Sequence, residues 1–267
     1  MDLLKQALAP IPLEGWEEIN DRAKEVILSQ LSARRVLNVE GPFGLKKHGV
    51  ETGRMKTFAD ADDLKVGAGL YDILPLVESR INFKLSRWEL DNILRGQKDV
   101  ELEALEAAAE KIALFEEDAI YNGNKKANIT GLKDLAKHKL SLSEHANTSL
   151  QSIAEGLLKL KDAYTEGPYH MVVGDAVFKA FNQIHDGRLF IDAVRSLIGG
   201  DVIRSRVLDG ALLIPDSHPD LELTIGQDYS VGYQSHDSET VTLFLMNAFT
   251  FRCLDDAIIV YFKYYAK

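Results

Sequence analysis

The sequence predicts an α+β fold of interlocking parts, on three observations. The first is one long amphipathic helix from about Val100 to Tyr121. Leu102, Leu105, Ala109, Ile112, Phe115 and Ala119 recur there at spacings of three and four, and Glu103, Glu106, Glu110, Glu117 and Asp118 form a solvated acidic face. Six turns span roughly 30 Å, about the width of a small domain, so the helix can act as a spine. The second is a change of pattern after Gly199-Gly200. Short apolar runs follow at Val202-Ile203, Ala211 to Ile214, Leu221 to Ile225, Tyr229 to Tyr233, Val241 to Leu245, Phe249 to Leu254 and Ile258 to Phe262. The third is the segment 45–70, rich in Gly, Lys and Asp and sparse in apolar residues. It reads as a hairpin that cannot bury its own surface. A structureless loop of that length is unusual inside a compact domain, so an arm packed on a neighbouring subunit is expected.

The other elements follow in order. Asp2 to Leu8 is a short amphipathic arm, ended by Ala9-Pro10-Ile11-Pro12, which imposes extended chain. A helix from about Glu14 to Leu31 carries Trp16, Ile19, Ala23, Val26, Ile27 and Leu31 on one stripe. A strand, Val36 to Val39, closes at Glu40-Gly41-Pro42. Alternation from Leu76 to Leu85 marks a strand with one buried face. Ser86 is placed to cap a short helix, Arg87 to Leu94, before the spine. Asn122-Gly123-Asn124 stops the spine with residues that tolerate the left-handed conformation. Residues 129–132 and 135–148 read as irregular. Helices at Ser149 to Tyr164, Ala176 to Gln183 and Leu189 to Leu197 flank a buried strand, His170 to Gly174, and a loop, Ile184 to Arg188.

The chain has a formal net charge of −10, which argues against a nucleic-acid partner, because neutralising phosphates needs a basic face. No apolar stretch is long enough to span a membrane, and the start lacks a signal-peptide pattern, so a cytoplasmic protein is expected. The lone cysteine, Cys253, lies in an apolar run and reads as a small buried hydrophobe. The seven histidines are scattered without metal-ligand spacing, and the spine holds none. Ser235-His236-Asp237-Ser238 invites a hydrolase reading through His236 and Asp237. Adjacent side chains diverge from the backbone, however, and a hairpin turn is the expectation. No nucleotide-binding, hydrolase or zinc motif occurs. These residues fit a structural or assembly protein better than an enzyme.

Several stretches resemble the encapsulin shell proteins, the linocin- or bacteriocin-like family. They are LLKQALAPIP and GWEEIN at the start; Arg34 to Gly44, with Ala33 where Gly is usual; Trp88 to Asn92 with Arg95-Gly96; Phe115 to Gly123; Glu166 to Tyr169; Gly226 to Tyr233; Ser235 to Val241; and Phe249 to Phe251. They span nearly the whole chain in order.

The resemblance implies the tailed-phage major capsid fold. Residues 1–44 would be the N-terminal helix and the start of a peripheral domain, 45–72 the extended loop, and 73–133 the peripheral domain with its spine. Residues 134–223 would be the axial domain and 224–267 the C-terminal strands of the peripheral domain. It further implies about sixty chains closing into an icosahedral nanocompartment in the bacterial cytosol. The shell would enclose an enzyme bearing a C-terminal targeting peptide, a dye-decolourising peroxidase or a ferritin-like protein, for oxidative stress or iron storage. The peptide would sit on Ile27, Leu31, Arg34, Asn38, Asp228, Tyr229, Tyr233, Ile258 and Ile259, and His185, Asp186, Gly187 and Arg188 would ring a fivefold pore. Asn38 stands where many members have Asp. No cofactor is required, but Trp88 matches a position near which some members bind flavin, although a tryptophan on a short helix more often packs. The tail from Tyr261 runs past the usual end and is expected to be partly disordered. A phage major capsid protein is the alternative, with a small acidic hydrolase behind it.

Overall fold

The computed structural model describes residues 3–58, 67–185 and 187–265. Helix α1 (Leu13–Gln30) starts directly after Pro12 and buries Trp16, Ile19, Ala23 and Ile27. A 3-10 turn, Ala33–Arg35, leads into β1 (Asn38–Glu40). Strands β2 (Gly49–Thr57) and β3 (Gly69–Pro75) pair only with each other among the described residues, as the poverty of apolar residues there predicts. The middle of the expected arm, 59–66, lies outside the described residues. Strand β4 (Val77–Ser86) re-enters the body and passes into α2 (Arg87–Leu94). Ser86 occupies the N-cap position but its side chain makes no capping bond; the Arg87 amide donates instead to the Glu239 carbonyl at 2.9 Å.

The spine is α3 (Glu103–Tyr121). Gly123 follows with φ at +87°, and a Cβ there would meet the Gly131 nitrogen at 2.8 Å, so the stop signal is backed by packing. The acidic face is not wholly solvated: Glu116 and Glu117 are buried. A short turn of helix, α4 (Leu132–Leu135), precedes β5 (His138–Ser143), where the sequence read as irregular. Its partner, parallel and over a hundred residues away, is what makes this polar stretch a strand. Then come α5 (Ala146–Asp162), β6 (Tyr169–Val173), α6 (Asp175–Phe181), the small pair β7 (Ile184–His185) and β8 (Arg188–Leu189), α7 (Phe190–Ile198), β9 (Val202–Arg204) and β10 (Ala211–Pro215). The chain ends with β11 (Leu221–Ile225), β12 (Ser230–His236), β13 (Thr240–Cys253) and β14 (Val260–Tyr265).

Two five-stranded sheets result. One runs β1-β11-β13-β12, with β4 also on β13; the other runs β5-β14-β10-β6-β9. The two strands expected at Val241 to Leu245 and Phe249 to Leu254 are one strand, β13. Asn247, which reads as a turn residue, continues it because its amide donates to the buried Glu116 carboxylate at 2.7 Å. Three apolar clusters hold the body together. One lies between α1, α3 and the first sheet, one between the second sheet and helices α5 to α7, and one joins the two around Tyr121, Phe249 and Ile259.

The sheets redraw the expected boundaries. Strand β11 belongs to the first sheet although 134–223 was assigned to the axial part. Strand β14 belongs to the second sheet, between β5 and β10, although 224–267 was assigned to the peripheral part. Residues 261–265, expected to be partly disordered, are therefore paired on the β5 side throughout. Local pattern says that a run is a strand; it does not say which sheet receives it.

Candidate functional site

Helix α1 presents two adjacent rows at four-residue spacing. Ala23, Ile27 and Leu31 form a floor packed on the core, and Asn20, Lys24 and Leu28 form an exposed wall. Opposite lie Tyr229, Val231 of β12 and Leu245 of β13, with Arg34 and Asp228 closing one end. The groove, open along one side, holds about 370 Å³. Leu28, 59% exposed, is the apolar wall residue facing solvent.

The groove's closed end is a buried polar network. The Arg34 guanidinium donates from Nε and Nη2 to the two oxygens of Glu116, at 2.7 and 2.8 Å, and from Nη1 to Asp228 at 2.8 Å. Its plane lies over the Tyr229 ring, 4.8 Å from the centroid, and the Tyr229 hydroxyl donates to Glu116 at 2.9 Å. Burial works against the charge of Arg34, but Glu116 overcomes it and raises the guanidinium above its ordinary value. Beside it, Glu117 accepts the Ser32 and Ala33 amides at 2.9 and 2.8 Å, along with the Ser32 hydroxyl. Burial pushes this carboxyl up to about 7 against the pull of those hydrogen bonds. Two carboxylates of the spine thus clamp the turn that joins α1 to β1.

Of the nine residues expected to bind a peptide, the groove gathers Ile27, Leu31, Arg34, Asp228 and Tyr229. Four are elsewhere. Asn38 lies in β1, where its amide donates to Glu40 at 3.2 Å. The Tyr233 hydroxyl bonds the His236 ring at 2.6 Å. Ile258 and Ile259 are buried in the cluster joining the two sheets, where the chain crosses between them. The Arg34 guanidinium is already held by Glu116 and Asp228. The sequence reading missed Asn20, Ala23, Lys24, Leu28, Val231 and Leu245. The helical rows of α1 carried a signal for the first four; the strand partners had none.

The remaining candidates separate cleanly. The small hairpin of β7 and β8 pairs His185 with Arg188, and Gly187 turns it with φ at +78°; Asp186 lies outside the described residues. Trp88 does not pack into the core: it is 69% exposed, with the Arg95 guanidinium 5.6 Å from its ring centroid. Ser235, His236 and Asp237 sit at a hairpin tip. There the Asp237 carboxylate accepts the Glu239 and Thr240 amides, which hold it below the usual carboxylate range. That is a turn, and the hydroxyl on the His236 ring is the Tyr233 phenol rather than a serine. The Cys253 thiol donates to the Asp255 carbonyl at 3.1 Å, and burial pushes it up to about 12. Cys253 is accordingly expected to react with a thiol reagent slowly at pH 8 in the native protein and fully after unfolding; a chromogenic thiol titration checks this. Among the described residues no cluster of three His, Cys, Asp or Glu could hold a metal, and no helix is long and apolar enough to cross a membrane.

The fold is that of viral and phage capsid proteins. It is similar to the virus-like particle of Pyrococcus furiosus, with a TM-score of 0.68 and 13% identity, covering 94% of this chain and 100% of that one. It is also similar to the capsid of Myoviridae phage XM1, with a TM-score of 0.55 and 12% identity, covering 85% and 89%. Spine helix, projecting hairpin and second sheet together make the tailed-phage capsid fold.

Within that class, sequence comparison gives the family. A family model described as an encapsulating protein for peroxidase matches residues 1–250. The type 1 encapsulin shell protein of Rhodospirillum rubrum is 34% identical over 262 residues, 95% of this chain and 94% of that one. Those of Mycobacterium tuberculosis and Brevibacterium linens are 33% and 31% identical, covering 95% and 96% of this chain and 96% and 97% of theirs. The chain belongs to the encapsulin shell proteins, and is a structural shell subunit rather than an enzyme.

Proposed function

We propose that this subunit builds a closed cytoplasmic shell of about sixty chains, which holds an enzyme through a short C-terminal peptide seated in the α1 groove. The guest is a dye-decolourising peroxidase or a ferritin-like protein. The observation that carries the reading is the groove itself, with an apolar floor, an exposed Leu28 and a polar rim. Many equivalent sites in one shell would hold guests that bind weakly one at a time. Electron microscopy of particles from the native host, with mass spectrometry of their contents, tests it. The expected result is small icosahedral shells filled with one such enzyme. Shells filled with DNA would replace this reading with a phage capsid.

Assembly in this reading depends on the β2–β3 hairpin. Its Met55, Leu70, Tyr71 and Ile73 are exposed, and among the described residues its two edges are open for pairing. Deleting residues 50–65 is expected to leave small oligomers or aggregate instead of particles, read by size-exclusion chromatography; normal particles would refute the arm's role. The hairpin carrying His185, Gly187 and Arg188 is assigned to the fivefold pore, with peripheral and axial parts following the two sheets. Trp88 offers an exposed indole face on which a flavin could stack; soaking shells in a flavin and recording retained absorbance, in wild type and Trp88→Ala, tests that assignment.

A further inference from the structure

The groove carries two cations, and their surroundings differ. Arg34 has two carboxylates on it, Glu116 and Asp228. Lys24 stands on the exposed wall one turn before Leu28, and among the described residues no carboxylate lies within ion-pair distance of it. Asp21, three residues earlier on the same helix, makes no pair with it. On the opposite side, the Asp228 carboxylate is shared between Arg34 and the Tyr229 amide at 2.8 Å. The lining therefore presents one unanswered positive charge, in a chain whose net charge is −10.

Resting on the reading of this groove as a peptide site, we propose that it selects apolar peptides carrying a carboxylate side chain, and that Lys24 is the residue that reads it. The geometry also sets the spacing. Lys24 and Leu28 are four residues apart on α1, about 6 Å along the axis. An extended peptide advances about 3.3 Å per residue and turns alternate side chains to the same side. A peptide running along the wall thus meets Leu28 and Lys24 with residues two apart, facing the same way. The pattern is acidic, any residue, apolar, or its reverse. Arg34 cannot supply this selection, because accepting a new carboxylate would mean displacing Glu116 or Asp228.

The pair at Lys24 lies at the groove's edge, so its strength is that of a partly solvated ion pair, about three- to fivefold in affinity at low salt and less as salt rises. Its value is in choosing between peptides. The test uses the whole shell, co-expressed with a fluorescent reporter that bears a randomised C-terminal tail. Particles are purified and the captured tails sequenced. Wild-type shells are expected to enrich tails with apolar residues and with Asp or Glu two positions from one of them. In Lys24→Glu shells the apolar preference is expected to persist while the acidic position turns basic. In Leu28→Asp shells the apolar enrichment is expected to be lost. Apolar enrichment with no charge preference, or with one that Lys24→Glu leaves unchanged, overturns the role of Lys24 and leaves the groove standing. No apolar enrichment in wild type, or the same enrichment in Leu28→Asp, overturns the groove and this inference with it.

Discussion

Shells of the Leu28→Asp variant are expected to assemble normally and to be empty. The substitution removes an apolar contact and puts a charge on the wall that a bound peptide would cover. Burying a leucine side chain against a ligand contributes about 1.5–3 kcal/mol, so its loss weakens each peptide by about ten- to a hundredfold before the cost of desolvating the aspartate. A guest with several tails multiplies that loss, because every attachment weakens together. Leu28 is 59% exposed in the subunit, so the fold has little to lose. Ile27, the more obvious choice from the sequence, is 4% exposed and sits in the cluster joining α1 to the spine. Ile27→Asp would bury an unpaired charge in the core and confuse an empty shell with an unfolded subunit. Loading is read as guest protein per shell by gel densitometry, with particle size by electron microscopy. Wild-type loading in Leu28→Asp shells would place the peptide elsewhere.

That contrast shows where the sequence was legible. Rows of side chains on α1 and α3 follow from a period of 3.6, so the spine, the first helix and Ile27 with Leu31 were readable from the residues alone. The hairpin was readable from what it lacked. What the period cannot give is the partner across the groove, because Val231 and Leu245 reach α1 only through the strand order of a sheet that mixes residues from both ends of the chain. The same blindness sent Ile258 and Ile259 to the groove, when they lie just before β14, where the chain crosses to the other sheet. Residue type misled in a second way. Glu117 on a glutamate-rich helix reads as solvated, yet three donors from the α1–β1 turn hold it inside. The partners of Arg34 are equally illegible, since Glu116, Asp228 and Tyr229 come from distant parts of the chain. A buried polar network is set by tertiary approach, and a single sequence does not record it.

The Glu117 clamp is expected to make the shell subunit lose stability as pH rises from about 5 to about 8. The folded carboxyl titrates at about 7, against 4.5 for the group unperturbed. A folded-state value above the unfolded one means that the native state holds its proton more tightly. The stabilisation from that proton is complete below about 4.5 and is lost as pH climbs through 7. The gap corresponds to about 3 kcal/mol. Above pH 7 the chain keeps a buried anion beside Glu116, answered only by two amides and a hydroxyl. Glu117→Gln removes the titration but keeps the shape. Its carbonyl can still accept the Ser32 and Ala33 amides, and its amide can donate to the Ser32 hydroxyl, which already lies 2.9 Å from the Tyr121 hydroxyl. Thermal midpoints of wild-type and Glu117→Gln particles, measured across this range, isolate the group, because every other titration is common to both. The variant is expected to gain on wild type steadily as pH rises, and parallel curves would mean that Glu117 does not titrate there. Glu117→Ala leaves the buried Ser32 and Ala33 amides without an acceptor and is expected to cost about 2–4 kcal/mol at every pH. Because Ser32 and Ala33 lie between Leu31 and Arg34, loosening this clamp moves the closed end of the groove. Guest retention in Glu117→Ala shells is therefore expected to fall even where particles survive.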